Sequence, residues 1–171
     1  TESRTAETET SVMLEVGTMA PQFTATLDNG ETFNLGEWRG LNHVVLYFYP
    51  KDDSPGCTRE ACAFRDNYEP ITALDALIVG VSADSADSHQ QFREQHSLPF
   101  PLIPDTDKRL SKIYDARGLF GLTTARVTYV IDKQGIIRGA FRHEVRGIGD
   151  HIQDAVRTLQ EIESQGRTVE A

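Results

Sequence analysis

Two cysteines, Cys57 and Cys62, lie five positions apart and are the residues of this chain with the most distinctive chemistry. Such a pair forms a structural disulfide in oxidising compartments, whereas in reducing compartments it is more often catalytic or metal-binding. The first residues of the chain are polar and lack the apolar stretch of a secretory signal. We therefore expect a reducing compartment and a reactive or metal-binding pair.

The loop before the first cysteine has features of a reactive site. Residues 50–56 read PKDDSPG, and the pattern from Cys57 onwards predicts a helix. Unpaired N–H groups and the helix dipole favour a thiolate in the first turn of a helix. Ser54 is placed to offer a hydroxyl to the sulfur or to a bound oxygen, and Pro50 to shield the thiolate from bulk water.

Each of these residues also has a purely structural interpretation. A cysteine is often a small buried apolar residue, and this alternative applies to Cys57. Ser54 is also a suitable helix cap, and the two roles are compatible. Pro50 is suited to ending a strand. These alternatives stay open at the level of single residues.

The apolar pattern predicts the elements that position this loop. Residues 43–49, HVVLYFY, are typical of a central strand buried on both faces, and 77–82 of a second such strand. The other predicted elements are a hairpin over 23–35 with a turn at 28–30, helices over 57–68, 85–96 and 106–115, a strand pair over 126–132 and 135–142, and an amphipathic helix over 149–163. A βαβ unit in this order predicts an α/β fold, with its site beyond the carboxyl ends of the strands.

Length and composition indicate one domain. The 171 residues divide into an acidic tail over 1–12 that we expect to be disordered, a domain over 13–165, and a flexible C-terminus over 166–171. No apolar run approaches the roughly 20 residues that cross a bilayer. The net charge of -9, without a run of Lys and Arg, argues against nucleic acid or an anionic membrane as a main partner.

The segment 49–66, YPKDDSPGCTREACAFRD, resembles the active-site segment of peroxiredoxins. More narrowly, it is similar to the peroxiredoxin Q, or bacterioferritin comigratory protein, branch. The family pattern of Pro, three residues, Thr or Ser, two residues and Cys is matched by Pro50, Ser54 and Cys57. Segments 16–23 and 126–132 are similar to the family's opening segment and its Arg-bearing strand, so the resemblance spans about residues 14–160. It implies a thioredoxin-like α/β fold, a central mixed sheet flanked by helices with an N-terminal β-hairpin.

The resemblance implies a role for each matching residue. Cys57 resembles the peroxidatic cysteine, which attacks the O–O bond of hydrogen peroxide or an organic hydroperoxide and becomes a sulfenic acid. Arg126 resembles the arginine that holds the thiolate and polarises the peroxide, Ser54 the hydroxyl that orients the peroxide oxygen, and Pro50 the shielding residue. Glu60 matches an acid expected to anchor an arginine. Ser54 replaces the more frequent Thr, so the hydroxyl is kept but less constrained.

In this branch, a cysteine five positions after the peroxidatic one often acts as the resolving cysteine. Cys62 would then form an intramolecular disulfide with Cys57, which thioredoxin or a similar dithiol protein reduces. Five helical residues separate two Cα atoms by about 8 to 9 Å, whereas a disulfide needs about 7 Å or less. The first turns of the helix must therefore unwind in each cycle. The alternative is that Cys62 is only a small residue on the buried side of the helix.

The resemblance also implies a monomer without cofactor or metal, because resolution within one chain needs no partner subunit. We expect a cytoplasmic protein, or a plastid one if Thr1 is a processed end.

Three other classes of protein are alternatives to a peroxidase. A thioredoxin-like disulfide reductase would need Cys-x-x-Cys, a zinc site at Cys57 and Cys62 would need further ligands that the scattered histidines do not supply, and a structural domain would make the motif a coincidence.

Overall fold

A five-stranded mixed sheet forms the centre of the structure. This computed structural model describes residues 13–118, 122–142 and 148–170, and within the last helix it describes the side chains of residues 152–165. The strands, in chain order, are β1 Thr24–Thr26, β2 Thr32–Asn34, β3 His43–Phe48, β4 Ala76–Ser82, β5 Leu102–Pro104, β6 Val127–Ile131 and β7 Ile137–Arg142. The central sheet has the order β5-β4-β3-β6-β7, and β1 and β2 form a separate antiparallel hairpin. The fold class predicted from the sequence is thus confirmed.

Helices connect the strands and cover the sheet. They are α1 Pro55–Asp66, α2 Tyr68–Thr72, α3 Ala86–His96, α4 Arg109–Ile113 and α5 Ile148–Glu170, with a 3₁₀ helix at Leu35–Trp38. Ser85 caps α3, since its side chain accepts a hydrogen bond from the amide of Ser88. None of the helices in the described ranges is long and apolar enough to cross a membrane.

The pairing of β3 with its two neighbours positions the site. Strand β4 runs parallel to β3, so α1 is the crossover between them, and β6 runs antiparallel to β3. The register pairs Phe48, the last residue of β3, with Val127, the first residue of β6. The residue before β6, Arg126, therefore lies beside the loop that follows β3.

The side chains of β3 alternate between two apolar cores, one on each face of the sheet. Val44, Leu46 and Phe48 pack on one face with side chains of the hairpin and α4. On the other face, Val45 and Tyr47 pack with Cys57, Ala61 and Phe64 of α1, and with apolar residues of α3 and α5. Every residue of β3 is buried, as the sequence predicted for a central strand.

Several boundaries differ from the prediction. The helix predicted over 57–68 begins at Pro55 and divides at Asn67 into α1 and α2, because Pro70 lacks the N–H that a continuous helix would need. The helix predicted over 106–115 is limited to Arg109–Ile113, and the three-residue strand Leu102–Pro104 was not predicted.

The chain termini were predicted to be poorly ordered. The predicted tail, 1–12, lies outside the described residues. Helix α5 begins one residue before the predicted closing helix and continues to Glu170. The flexibility expected of residues 166–171 stays a prediction.

Candidate active site

Cys57 lies in the first turn of α1, directly behind the loop that follows β3. Pro55 occupies the start of the helix, and the first helical hydrogen bond is donated by the amide of Thr58 to Ser54 O at 2.8 Å. The amides of Gly56 and Cys57 precede this bond, so they have no acceptor within the helix. The Cys57 side chain is 1% exposed. The helix start therefore presents backbone N–H groups around a buried sulfur, an arrangement that stabilises negative charge.

Arg126 contacts the sulfur directly. Its Nη2 donates a hydrogen bond to Cys57 Sγ at 3.5 Å. Within the described part of the chain, Arg126 is the residue that donates a hydrogen bond to this sulfur. Arg126 is buried, with 8% of its surface exposed. Burial opposes its charge, but Glu60 and Cys57 outweigh this effect and raise the pKa of Arg126. A buried cation therefore lies in contact with the sulfur, where it interacts favourably with negative charge that develops there during a reaction.

Glu60 holds the other side of the guanidinium. Its Oε1 accepts a hydrogen bond from Arg126 Nη1 at 2.6 Å, and its side chain is fully buried. Burial raises the pKa of Glu60 to about 7, against the charge and hydrogen bonding of Arg126, which lower it. Cys57, Glu60 and Arg126 are thus brought together, although 69 residues separate the cysteine from the arginine.

The structure shows Ser54 and Pro50 in less direct positions. Ser54 is at the N-cap of α1, but its side chain makes no cap hydrogen bond, and its hydroxyl donates to Lys51 O at 3.0 Å. Pro50 is the second residue after β3, and its side chain is exposed to solvent while Cys57 is buried. Both residues flank the sulfur in the chain, and the described contacts of Cys57 Sγ do not include them.

Cys62 lies within the same unbroken helix as Cys57, and both cysteines are free thiols. Its side chain is half-buried, and its Sγ lies 4.0 Å from Nδ1 of His96, the last residue of α3. The helix that holds the two sulfurs apart is therefore intact in the reduced protein.

A buried polar network behind the loop was missed by the sequence analysis. Asp52 accepts hydrogen bonds from the Tyr49 hydroxyl at 2.6 Å and the Ser88 hydroxyl at 2.7 Å, and it lies 2.8 Å from His89 Nδ1. His89 Nε2 lies 3.1 Å from the carbonyl oxygen of Ile103. These contacts fasten the loop to α3 and β5. No local sequence pattern indicates them, because Asp52 and His89 are 37 residues apart.

Asp52, Asp84 and His89 are close enough together to be considered as metal ligands. Their polar atoms are already used within the protein, since Asp84 Oδ2 accepts from the Asp52 amide at 2.8 Å and from Ser82 at 2.6 Å. Both nitrogens of His89 face oxygen acceptors. The arrangement therefore favours a structural role in holding the loop.

A buried cysteine at a helix start, paired with an arginine directly before the neighbouring strand of a thioredoxin-like sheet, defines the class of thiol peroxidases. Residues 16–140 match the AhpC/TSA family, and the chain belongs to this family of peroxiredoxins. It is thus a peroxidase and an oxidoreductase, as the sequence analysis predicted. Peroxides are the substrates of the family, and a thioredoxin-type reductant restores its oxidised cysteine through a disulfide.

Individual relatives agree with this assignment. The chain is 42% identical over 155 residues to Peroxiredoxin Bcp of Bacillus subtilis, which covers 87% of this chain and 97% of the relative. It is 37% identical over 147 residues to chloroplastic Peroxiredoxin Q of Oryza sativa subsp. japonica, with 85% and 67% covered. The predicted subfamily is confirmed by these relatives.

Solved structures of the same branch share the fold. Peroxidoxin BcpB from Mycobacterium tuberculosis superimposes with a TM-score of 0.79 at 28% identity, covering 87% of this chain and 98% of that one. A bacterioferritin comigratory protein of Xanthomonas campestris, studied for its alkyl peroxide reduction activity, gives a TM-score of 0.71 at 30% identity, with 79% and 90% covered.

Proposed function

We propose that this chain reduces hydrogen peroxide and organic hydroperoxides by a two-cysteine cycle within residues 13–165, with Cys57 as the peroxidatic and Cys62 as the resolving cysteine. The observation that carries the proposal is the position of Arg126 Nη2, 3.5 Å from a buried cysteine sulfur at a helix start. This pairing supplies the two requirements for attack on a peroxide, a stabilised thiolate and a cation for the developing oxyanion.

In the first step, the Cys57 thiolate attacks one oxygen of the peroxide and the O–O bond breaks. The sulfur becomes a sulfenic acid, and the other oxygen leaves as water or an alcohol after taking up a proton. Arg126 stabilises the charge on both the sulfur and the departing oxygen, and Glu60 keeps the guanidinium in place. Ser54 orients the peroxide oxygen and Pro50 limits the access of water. For Ser54, this role requires its hydroxyl to break its hydrogen bond to Lys51 O and to form one with the substrate instead.

In the second step, the thiol of Cys62 attacks the sulfenic sulfur of Cys57. A disulfide forms, the S–O bond breaks, and the oxygen leaves as water. Both residues lie in α1, so the helix between them must unwind before the sulfurs meet. Oxidation of Cys57 makes this step possible, because a sulfenic acid loses the favourable contact between a thiolate and Arg126.

Thioredoxin or a similar dithiol protein then reduces the Cys57–Cys62 disulfide, which becomes accessible when α1 unwinds. The cycle is complete within one chain, which supports a monomer without cofactor or metal. We place the protein in the cytoplasm, with a plastid as the alternative. The bacterial and chloroplastic relatives are consistent with either compartment.

Single-turnover oxidation with hydrogen peroxide, followed by mass spectrometry, tests the cycle in the wild type and in Cys62→Ser. We expect the wild type to lose two hydrogens and to link Cys57 to Cys62, and Cys62→Ser to yield a trappable sulfenic acid on Cys57. Cys57→Ser is the control that should not react. A wild type that stops at the sulfenic acid would exclude Cys62 as the resolving residue, and an unreactive Cys57 would overturn the peroxidatic assignment.

A further inference from the structure

We infer that His96 is a catalytic residue of the resolution step, where it accepts the thiol proton of Cys62, and that Asp53 positions its imidazole ring. The inference rests on the proposed role of Cys62 as the resolving cysteine and extends it to the source of the reactive thiolate. A resolving cysteine reacts as the thiolate, so a base beside it directly affects the rate of disulfide formation.

A thiol, an imidazole and a carboxylate lie in series beside α1. Cys62 Sγ is 4.0 Å from His96 Nδ1, and His96 Nε2 is 3.6 Å from Asp53 Oδ1. The order of the three groups is that of the nucleophile, base and orienting acid in enzymes that activate a cysteine or serine. The His96 side chain is 20% exposed, whereas its Nε2 is buried. At 3.6 Å, Asp53 contacts this nitrogen as a charged neighbour and not through a hydrogen bond.

Contacts from two elements hold His96 in place. Its backbone oxygen accepts a hydrogen bond from Arg65 Nη1 at 2.7 Å, and Arg65 lies three residues after Cys62 in α1, on the same side of the helix. Its ring packs edge-on against Phe92, with centroids 5.2 Å apart. The base is therefore fixed to the part of α1 that carries Cys62.

This attachment survives the motion that resolution requires. Unwinding must begin at the Cys57 end of α1, whereas Arg65 is bonded to His96 on the far side of Cys62. Cys62 and His96 therefore stay together while Cys57 moves towards them. Asp53 belongs to the loop before α1 and lies beside the His96 ring while the helix is intact. It therefore orients Nδ1 towards Cys62 for the proton transfer, which precedes unwinding.

The proton balance of the step is complete without another reactant. His96 Nδ1 takes the proton of the Cys62 thiol, and the resulting thiolate attacks Cys57 Sγ. The S–S bond forms as the S–O bond breaks, and the leaving hydroxide takes the proton from the imidazolium to give water. The imidazole thus returns to its starting state at the end of the step.

The first step of the cycle does not involve these groups. The described contacts of the His96 ring and backbone are to Cys62, Asp53, Arg65 and Phe92, whereas Cys57 contacts Arg126. A substitution at position 96 should therefore slow disulfide formation and leave sulfenic acid formation unchanged. A general disruption of the structure would slow both.

Rapid mixing with hydrogen peroxide, quenching at set times and mass spectrometry measure sulfenic acid formation and disulfide formation separately. In His96→Ala we expect sulfenic acid formation within about twofold of wild type and disulfide formation slower by about 100-fold or more, the lower end of the usual effect of a general base. Free imidazole added to His96→Ala should restore disulfide formation in a concentration-dependent manner. Asp53→Asn should slow the same step by a smaller factor.

Gln95→Ala, an exposed neighbour on α3, is the matched control and should leave both rates unchanged. Disulfide formation at the wild-type rate in His96→Ala would overturn the inference, and so would a loss that affects both steps and does not respond to imidazole. Failure of the proposed function is distinguishable, because the wild type itself would then form no Cys57–Cys62 disulfide.

Discussion

At the scale of single residues, the buried pair of Arg126 and Glu60 is the feature that most affects reactivity. Removing two charges from water is unfavourable, and a buried ion pair is rarely retained for stability alone. Here the pair holds a guanidinium against the Cys57 sulfur. Burial raises the pKa of Glu60 to about 7, so the pair changes its charge near neutral pH.

Replacement of Glu60 by Gln should change how stability depends on pH. The unfolded carboxyl ionises near 4.5 and the folded one near 7. The contribution of Glu60 to stability is therefore fully present below pH 4.5 and is lost as the pH rises to about 7. The Gln variant lacks this loss, so its melting temperature relative to that of the wild type should rise across this range. The rise should correspond to on the order of 3 kcal/mol.

Thermal unfolding at pH values from 4.5 to 8 measures this difference, with the exposed Glu94→Gln on α3 as control. A constant difference between Glu60→Gln and wild type over that range would show that Glu60 titrates near its ordinary value. The Gln side chain keeps an oxygen for Arg126, so the variant is expected to fold.

At the scale of elements, α1 has two tasks that conflict. Its first turn forms the environment of Cys57, and its intact backbone separates Cys57 from Cys62. The side chains of Ala61 and Phe64 pack with Cys57 into the core on one face of the sheet. Pro55 and Gly56 occupy the first turn, and glycine is unfavourable in a helix, so this end is the easier one to unwind. The helix therefore favours peroxide attack when folded and disulfide formation when partly unwound.

A glycine placed between the cysteines should accelerate resolution. Arg59 is exposed in α1, and glycine is about 1 kcal/mol less favourable than alanine inside a helix. Arg59→Gly should therefore raise the unwound population, and with it the rate of disulfide formation, about fivefold over Arg59→Ala. The Ala variant removes the same charge and is the matched control. Equal rates of disulfide formation in the two variants would show that unwinding does not limit this step.

At the scale of the whole molecule, the sheet supports the site through close packing across three strands. Gly80 of β4 pairs with Tyr47 of β3 and Leu102 of β5. A Cβ atom at position 80 would lie 2.9 Å from the Tyr47 ring and 2.7 Å from Leu102 Cδ2. The Tyr47 ring in turn packs against Phe64 of α1, with centroids 4.5 Å apart. The absence of a side chain at position 80 thus allows α1 to approach the sheet.

Gly80→Ala should destabilise the protein by about 1 to 3 kcal/mol, the usual effect of overpacking a core. Chemical unfolding measures the change, and Leu102→Ala in the same background gives a double-mutant cycle. Because the added methyl would occupy the space of Leu102, the double variant should be more stable than the sum of the single changes implies. A Gly80→Ala protein as stable as wild type would contradict the packing described here.

Local patterns in the sequence were enough to predict the elements around the site. The central strand predicted over 43–49 is observed at His43–Phe48, and the helix predicted from residue 57 begins at Pro55. Apolar runs and turn residues act within a few positions, so they indicate such elements to within a residue or two. Strand β5 was missed because its three residues carry no periodicity. The contact of Arg126 with Cys57 was expected only from the family resemblance.

The contacts of Asp52 with His89 and of Cys62 with His96 had no signal at all in the sequence. They join residues 37 and 34 positions apart, and such pairs depend on how α3 packs against the loop and α1. The sequence pattern of a helix indicates on which face a histidine lies. It does not indicate which side chain of another element that histidine contacts. Packing between elements therefore determined the part of the site that the sequence left open.

The antiparallel pairing of β3 with β6 has a consequence during synthesis. Cys57 precedes its cation by 69 residues, so at 5 to 20 residues per second the ribosome makes the thiol on the order of 3 to 14 seconds before it makes Arg126. During that interval the sulfur lacks the guanidinium that favours its reactive form. The arrangement that supports reaction with peroxide is therefore acquired only when β6 joins the sheet.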